Sequence, residues 1–341
     1  MRAVEAPPLP ARPARRLASI QCLRALAAAV VVLVHMRVFE PKYDPGLVLA
    51  PHVLDFGQLG VDLFFVISGF IMTTITVREF GRQGAARRFL AQRFLRIYPI
   101  YWVFALAVLA VFLVHPGWVN SQHGRPDIVR SFLLLPQQNL PLLLVAWTLT
   151  FEMFFYLVFA VLIGCVRRQV LGWVLIGWAV VTAGANLLLA PNATTPVLDV
   201  MASPLILEFL GGCAVALAAR SLRGRTAGWV LTIFGIAELL GAVLWLSHLG
   251  RGFPPNGWLR VALFGSGSVL VVAGAVRLEE AGVRLFPASL VALGDASYSL
   301  YLSHVLVIAA VGRVWERFLA GPSAANHLAG LAGVFAAALV G

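Results

Sequence analysis

The sequence predicts an all-α fold, a polytopic transmembrane helical bundle of about ten helices with its N-terminus in the cytoplasm. Of the 341 residues, 60% are hydrophobic and only 12% are charged, and the mean hydropathy is +0.88. A soluble domain carries about 25% charged residues, which supply its polar surface. The composition therefore excludes a soluble cytoplasmic enzyme and favours a chain embedded in the bilayer.

Apolar stretches divide the chain into spans. A spanning helix needs about 20 mostly apolar residues. Ten stretches are candidates: 18–38, 57–77, 97–115, 143–165, 170–190, 199–219, 228–248, 257–276, 288–312 and 326–341. The last supplies only 15 residues from His327, or about 22 Å of helix, which predicts either a short helix or a chain that lacks part of it. Residues 1–17 are predicted to be a disordered, Arg/Pro-rich cytoplasmic tail, followed by one transmembrane domain over 18–341.

The basic residues set the orientation. The chain has 25 arginines and one lysine. Segments 1–17, 78–96, 167–168, 220–225 and 277–284, on the side of the N-terminus, hold 17 of these residues, and the opposite segments hold 6. Basic residues concentrate in cytoplasmic loops, so this first side is predicted to be cytoplasmic. Since they lie in short loops rather than one patch, no nucleic-acid partner is indicated.

Ionisable residues inside spans are costly and are functional candidates. Nine residues of the predicted spans are candidates on this ground: Arg24, His35, Asp62, Glu152, Glu208, Glu238, Arg260, Asp295 and His304. Midmembrane Glu208 and Glu238 are interpreted as structural, hydrogen-bonded groups. The three cysteines show no paired spacing and the histidines no ligand spacing, so neither a disulfide framework nor a metal site is predicted.

Arg24 and His35 are the most informative pair in the sequence. They are 11 residues apart, which is about 20° from eclipsed on a helix, so both share one face. Asp62 lies near the outer start of the second span, at a depth similar to His35. A carboxylate there would orient the imidazole as a general base. The structural alternative is that Arg24 reaches the headgroups and His35 bonds a backbone carbonyl.

The second block is GQLGVDLFFVISGF, residues 57–70. Gly60 and Gly69 are expected to allow close helix approach, and Ser68 could hydrogen-bond across helices. Ser68 as a nucleophile is less favoured, because no G-x-S-x-G elbow surrounds it. Helix packing is the preferred interpretation of the block.

The third block, RFLRIYPIY at residues 93–101, is expected at the cytoplasmic start of the third span. Arg93 and Arg96 are three residues apart and share a face. Paired guanidinium groups suit phosphate oxygens, although anchoring by the positive-inside rule explains them as well. Tyr98 and Pro99 are interpreted as marking an interfacial helix start.

Two further blocks carry polar groups. In WTLTFE, Glu152 lies about nine residues in from the predicted outer surface. In DASYSLYLSH, the side chains Ser297, Tyr301 and His304 follow at i, i+4 and i+7, a polar stripe on one helical face. Such a stripe must face protein or water rather than lipid.

Together these blocks resemble the acyltransferase 3 family of bacterial membrane acyltransferases. The resemblance runs from about residue 17 to the end of the chain. Five elements carry it: IQCLRALAAAVVVLVHM, GQLGVDLFFVISGFIM, RFLRIYPIYW, WTLTFEMFFY and LGDASYSLYLSH. Each is short and apolar, and their order among about ten spans is what makes the resemblance specific.

The resemblance implies a multi-pass protein of the bacterial cell membrane that moves an acyl group, often acetyl, from cytoplasmic acyl-CoA to a hydroxyl of an extracytoplasmic sugar or glycan. Acyl-CoA is then a co-substrate, with no permanently bound cofactor. The family's essential arginine and histidine map to Arg24 and His35, its paired arginines to Arg93 and Arg96, and its acidic position to Glu152.

The full set of predicted roles follows from the residues and the resemblance together. Arg93, Arg96 and Arg24 are expected to bind the donor, and Asp62 or another carboxylate to orient His35. Glu152, Ser297, Tyr301 and His304 are expected to line the acceptor pocket or to orient the base, and Ser68 is expected at the same pocket. Arg24, Asp62 and Glu152 are grouped with His35 as the catalytic set. The sequence leaves open whether His35 acts as a general base or forms an acyl-histidine.

The alternative function class is a proton-coupled transporter or a polyprenyl-sugar flippase, since intramembrane ionisable residues also serve proton relays. Transporters are often built from inverted repeats. The sequence shows no matched halves, and the Arg24–His35 spacing does not recur.

Overall fold

The computed structural model describes residues 17–43, 50–120, 124–190, 195–218, 224–255, 257–284, 287–318, 330–333 and 335–338, and contains no β-strand within them. The α-helices are α1 (Ala18–Tyr43), α2 (Leu59–Thr76), α3 (Ala85–Val114), α4 (Ile128–Leu133), α5 (Ala146–Cys165), α6 (Leu171–Leu189), α7 (Pro196–Met201), α8 (Ile206–Leu217), α9 (Arg225–His248), α10 (Trp258–Arg260), α11 (Ser266–Glu280) and α12 (Ala288–Phe318). The segments His52–Gln58, Pro116–Trp118 and Arg168–Val170 are 3₁₀-helices, and a π-helix, Val261–Gly265, joins α10 to α11.

Nine helical segments within the described ranges have the length and hydropathy to cross a membrane. They coincide with the first nine predicted spans, and the all-α polytopic fold is confirmed. The tenth predicted span, 326–341, lies partly outside the described residues; its parts 330–333 and 335–338 are helical. The predicted tail lies outside the described residues except for position 17.

Helix α3 differs from its prediction at its start. It begins at Ala85, twelve residues before the predicted span, and passes through Pro99 without ending. The apolar pattern missed these first turns because their arginines lower the hydropathy, although arginine is a good helix former. Gly81 and Gly84, with φ of 77° and 72°, make the turn between α2 and α3. Arg93 and Arg96 therefore lie inside the helix, and Tyr98 and Pro99 do not mark its start.

The glycines of the second block bring α2 against two neighbours, as predicted. A Cβ atom at Gly60 would collide with the backbone carbonyl of Ala27 in α1, and one at Gly69 with that of Phe209 in α8. Gly212 of α8 lies equally close to the Val66 carbonyl. Small residues at such crossings allow the van der Waals contact that holds membrane helices together, and they fix α2 in the centre of the bundle.

Helix α1 is anchored at its first turn. The Glu279 carboxylate, near the end of α11, accepts hydrogen bonds from the backbone N–H of Ala18 at 3.0 Å, from that of Ser19 at 2.8 Å, and from the Ser19 hydroxyl at 2.6 Å. These contacts satisfy N–H groups that have no partner within the helix and place negative charge at its positive end.

Helix α12 runs parallel to α1 along its length. Near the start of both helices, Gly294 lies against the backbone of Gln21, where a side chain would collide. Further along, His304 reaches His35. Since the two contacts advance together along both helices, α1 and α12 are held in one register.

Candidate active site

A cavity of about 100 Å³ lies within the bundle, among α1, α2, α3, α5 and α12. Its apolar lining comes mainly from α2. Its polar lining comes from five helices: Arg24, Ser68, Arg93, Arg96, Thr148, Glu152, Tyr156, Ser297, Tyr298 and Tyr301. All five sequence blocks that carry the resemblance therefore contribute to one cavity.

Positive charge dominates the cavity wall. Three guanidinium groups, those of Arg24, Arg93 and Arg96, face it together with one carboxylate, that of Glu152. In the part of the chain that the structure describes, none of the three forms an ion pair with a carboxylate within 4.0 Å. Unpaired cations around a void favour an anionic ligand, which guanidinium groups bind through charge-assisted hydrogen bonds.

The arginines are held by weak contacts. Arg24 donates to the Gln21 side chain at 3.5 Å. The Arg93 guanidinium lies 5.7 Å from the centre of the Phe89 ring and 5.9 Å from that of Tyr156, in cation–π contact. Its Nε atom is buried with no hydrogen-bond partner among the described residues. Such groups are available to a ligand.

Glu152 is the acceptor of a small hydrogen-bond network. Tyr156, one turn further along α5, donates a short hydrogen bond to its Oε1 atom. Ser68 of α2 donates to the same oxygen at 3.4 Å. The network ties α2 to α5 at the cavity. Sequence reasoning missed Tyr156, although its spacing of four from Glu152 places both on one helix face.

Two tyrosines of α12 close the cavity opposite these arginines. The Tyr298 hydroxyl donates to the Ile97 carbonyl of α3 at 2.9 Å. The Tyr301 hydroxyl lies 2.8 Å from the Thr148 hydroxyl of α5. Ser297 donates to its own helix, at the Gly294 carbonyl. These bonds fix α12 against α3 and α5 and orient its polar stripe inwards, as the spacing predicts.

His35 and His304 form a pair beyond Tyr301. The Nε2 atom of His304 lies 3.3 Å from Nδ1 of His35, with the ring centres 4.8 Å apart. The Tyr301 and His304 rings are 5.8 Å apart, and Tyr301 also faces Phe64 of α2 at 5.8 Å. Among the described residues that line the cavity, neither histidine is found. The Tyr301 side chain lies between the cavity and the histidine pair. Arg24 and His35 both face α12, in agreement with their predicted common face.

Asp62 does not contact His35, and in this respect the prediction is wrong. Its carboxylate forms a bidentate ion pair with Arg260, with Nε–Oδ1 at 2.8 Å and Nη2–Oδ2 at 3.0 Å, and both side chains are fully buried. A guanidinium fork matches both carboxylate oxygens, and a buried arginine needs a counter-ion more than a neutral imidazole does. Arg260 also lies over the Phe253 ring at 4.9 Å.

The remaining intramembrane acids lie away from the cavity. Glu208 is buried beside the Asp62–Arg260 pair, close enough to interact with both charges. Glu238 accepts a hydrogen bond from Ser266 at 2.5 Å, in agreement with its structural interpretation. Sequence reasoning could have identified Arg260 as the partner of Asp62. Arg260 lies at the outer end of its predicted span, and this is the membrane depth that the sequence also predicts for Asp62.

The fold and the site define a multi-pass membrane protein with an internal cationic cavity beside a histidine pair. A family model described as "Acyltransferase domain", that of the acyltransferase 3 family, matches residues 17–341. The chain belongs to this family and is a membrane acyltransferase, which decides against the transporter and flippase alternative. No solved structure matches the chain.

Curated relatives agree with the family model. The chain is 31% identical to exopolysaccharide production protein ExoZ of Rhizobium meliloti, over 83% of this chain and 86% of that protein. It is 27% identical to acyltransferase MdmB of Streptomyces mycarofaciens, over 86% and 79%. It is 25% identical to peptidoglycan O-acetyltransferase OatA of Listeria monocytogenes, over 87% of this chain but only 50% of that longer protein.

Proposed function

We propose that this acyltransferase takes an acyl group, with acetyl as the first candidate, from acyl-CoA on the cytoplasmic side of a bacterial cell membrane and transfers it to a hydroxyl of an extracytoplasmic sugar or glycan. The observation that carries the proposal is the excess of unpaired guanidinium groups around the cavity. The names of two relatives, an exopolysaccharide production protein and a peptidoglycan O-acetyltransferase, support a carbohydrate acceptor.

The donor is recognised through its phosphates. Arg96 is exposed at the cavity and Arg93 is half-buried beside it, so phosphate oxygens of CoA bind to this pair at the mouth. The pantetheine arm then passes Arg24. From Arg24 to His35 the helix rises about 16 Å, a path that a long, unbranched arm can follow while the nucleotide stays at the arginines.

The reaction takes place at His35. Its Nε2 atom removes the proton from an acceptor hydroxyl while the hydroxyl oxygen attacks the thioester carbonyl. The carbon–oxygen bond forms, the carbon–sulfur bond breaks, and the CoA thiolate leaves and takes the proton from His35. In the competing route His35 Nε2 attacks the thioester first and expels the CoA thiolate. The acceptor hydroxyl then takes the acyl group from the ring, and its proton passes to the thiolate. Since Tyr301 and Phe64 separate the cavity from the histidines, one of the two rings moves when the thioester arrives.

The remaining cavity residues hold the reactants. Glu152, with Tyr156 and Ser68, offers fixed hydrogen-bonding groups opposite the arginines and limits the net positive charge. Ser297 and Tyr301 present oxygen atoms on the α12 wall. We assign these groups to orienting the thioester and the acceptor hydroxyl.

The test is turnover of radiolabelled acetyl-CoA by the purified full chain in lipid nanodiscs, with His35→Ala beside the wild type. Loss of a general base or nucleophile should lower turnover at least ~100-fold. The matched control is His248→Ala, because His248 is an exposed histidine at the end of α9. Slow hydrolysis to acetate serves as the readout until an acceptor is found.

The outcomes are distinct. Histidine-dependent turnover supports the proposal, and repeating the assay with propionyl-CoA and succinyl-CoA then defines the acyl group. Full activity of folded His35→Ala would refute the role of His35. Absence of both acetyl-CoA binding and turnover in folded wild type would refute acetyl-CoA as the donor.

A further inference from the structure

We propose that His304 is a positioning residue for His35: it accepts a hydrogen bond from the Nδ1–H group of His35 and so leaves Nε2 as the reacting nitrogen. The inference rests on the proposed function, because it presumes that His35 is the reacting group. The sequence left open whether His304 lines the acceptor pocket or orients the base, and the contact with His35 favours the second role.

The hydrogen-bond partners assign the tautomers of both rings. Nδ1 of His35 lies 2.8 Å from the Val31 carbonyl oxygen, and Nδ1 of His304 lies 3.1 Å from the Leu300 carbonyl oxygen. A carbonyl only accepts, so each Nδ1 carries the proton. In a neutral imidazole the other nitrogen is then a bare acceptor. His304 Nε2 can therefore only accept from His35 Nδ1–H, which it shares with Val31.

This arrangement gives His35 a defined reactive atom. With the proton on Nδ1, the lone pair of Nε2 is directed away from His304. As Nε2 takes a proton or an acyl group, the ring gains positive charge and its Nδ1–H becomes a charge-assisted donor. The bond to His304 strengthens at that moment, so His304 favours the charged state over the resting state. The aspartate of a Ser-His-Asp triad likewise fixes the tautomer of its histidine and stabilises the positively charged ring.

A neutral partner suits the surroundings better than the predicted carboxylate. His304 is fully buried and His35 is half-buried. A carboxylate there would have to lose its hydration in a low-dielectric interior, at a cost that a neutral imidazole avoids. Asp62, the acid that the sequence analysis named for this role, is bound to Arg260 instead.

The position of His304 is fixed by its neighbours rather than by substrate. Tyr301, one turn earlier, is tied to Thr148 of α5, and Gly294 locks α12 against the backbone of α1. Because His304 is fully buried whereas His35 is half-buried, His304 is not placed to touch the acceptor.

The test compares two amides at position 304. His304→Asn keeps a donor for the Leu300 carbonyl but has no atom at the Nε2 position. His304→Gln is one methylene longer and can place an acceptor there. We expect Asn to lower kcat by about 10- to 100-fold, the range seen when a group that orients a ligating histidine is removed, with KM for acetyl-CoA unchanged. Gln should restore most of kcat.

A spectroscopic measurement keeps the proposal testable without kinetics. In full-length protein with ¹⁵N-labelled histidine, His35 should show a protonated Nδ1 and a bare Nε2, assigned by its disappearance in His35→Ala. Unfolding in detergent must show that both amide variants fold. An ε tautomer for His35, equal kcat for Asn and Gln, or a loss confined to KM would each overturn the proposal.

The outcome separates this inference from the proposed function. If His35→Ala is inactive while His304→Asn is fully active, only the positioning role fails. If His35→Ala stays active, the proposed function itself fails, whatever the result at position 304.

Discussion

Two groups of charged residues lie inside the bundle, and they are arranged in opposite ways. In the sealed pair, Asp62 and Arg260 bind each other through two hydrogen bonds and are fully buried. In the cavity cluster, Arg24, Arg93 and Arg96 face a void that is also lined by the Glu152 carboxylate. They form no ion pair among the described residues.

The difference distinguishes buried charges that stabilise a membrane protein from those that are available to a ligand. Removing an ion from water costs several kcal/mol, which a bidentate partner in the same interior can offset. A guanidinium whose partner is already present needs no ligand, so the sealed pair is part of the scaffold. Guanidinium groups that share one carboxylate around a cavity carry an uncompensated positive charge, which supports the proposal that the cavity cluster binds an anionic donor.

The largest effect is expected at the sealed pair. Arg260→Met leaves Asp62 buried without its partner and should destabilise the protein by about 3–5 kcal/mol. The measurement is unfolding of purified protein in detergent micelles. The double variant Asp62→Leu with Arg260→Met removes both charges and should recover most of the loss. Equal instability of the single and double variants would show that the loss does not come from an unpaired Asp62 charge.

A smaller effect on a different quantity is expected at the cavity cluster. Arg96→Ala should weaken acetyl-CoA binding by about 1.5–3 kcal/mol, the contribution of a hydrogen bond to a charged group, with little change in unfolding. Isothermal titration with acetyl-CoA measures it. Arg87→Ala is the control, because Arg87 is an exposed arginine on the same helix that does not line the cavity. Equal weakening in the control would show that the effect is general surface charge.

The smallest effect is expected at Ser68. Ser68→Ala removes one neutral hydrogen-bond donor to the Glu152 carboxylate. We expect kcat/KM to fall roughly fivefold, which corresponds to a loss of about 1 kcal/mol of transition-state stabilisation. Thr74→Ala on the same helix provides the comparison, since its hydroxyl bonds only the Phe70 carbonyl of its own helix. A loss of several orders of magnitude at Ser68 would instead assign it as the nucleophile.

The sequence predicts the parts that local pattern determines. Apolar stretches locate nine spans, and helical spacing places Ser297 and Tyr301 on one inward face. The convergence of Arg24, Arg96 and Glu152 at one cavity was implied only by the resemblance. Contacts between helices that are far apart in the sequence do not affect the local pattern of apolar residues. Their chemical roles stay predictions.

The partners of buried groups could not be predicted. Asp62 and Arg260 are separated by 198 residues, and His35 and His304 by 269. Depth in the membrane narrows the choice of partner for Asp62 to groups near one surface, but His35 and Arg260 both satisfied it. The partner of Asp62 is determined by which helices are neighbours in the bundle. The packing of the helices depends in turn on close contacts such as those of Gly60 with α1 and Gly69 with α8.

The order of the helices along the chain has a consequence for biosynthesis. Membrane proteins are made from the N-terminus, and their early segments fold while the rest is still being translated. Arg24 and His35 are on the first helix, whereas Ser297, Tyr301 and His304 are on α12. A nascent chain on the ribosome therefore has its first arginines in the bilayer but neither the far wall of the cavity nor the partner of His35. Under the proposed function, we expect no turnover of the acyl donor before α12 is inserted.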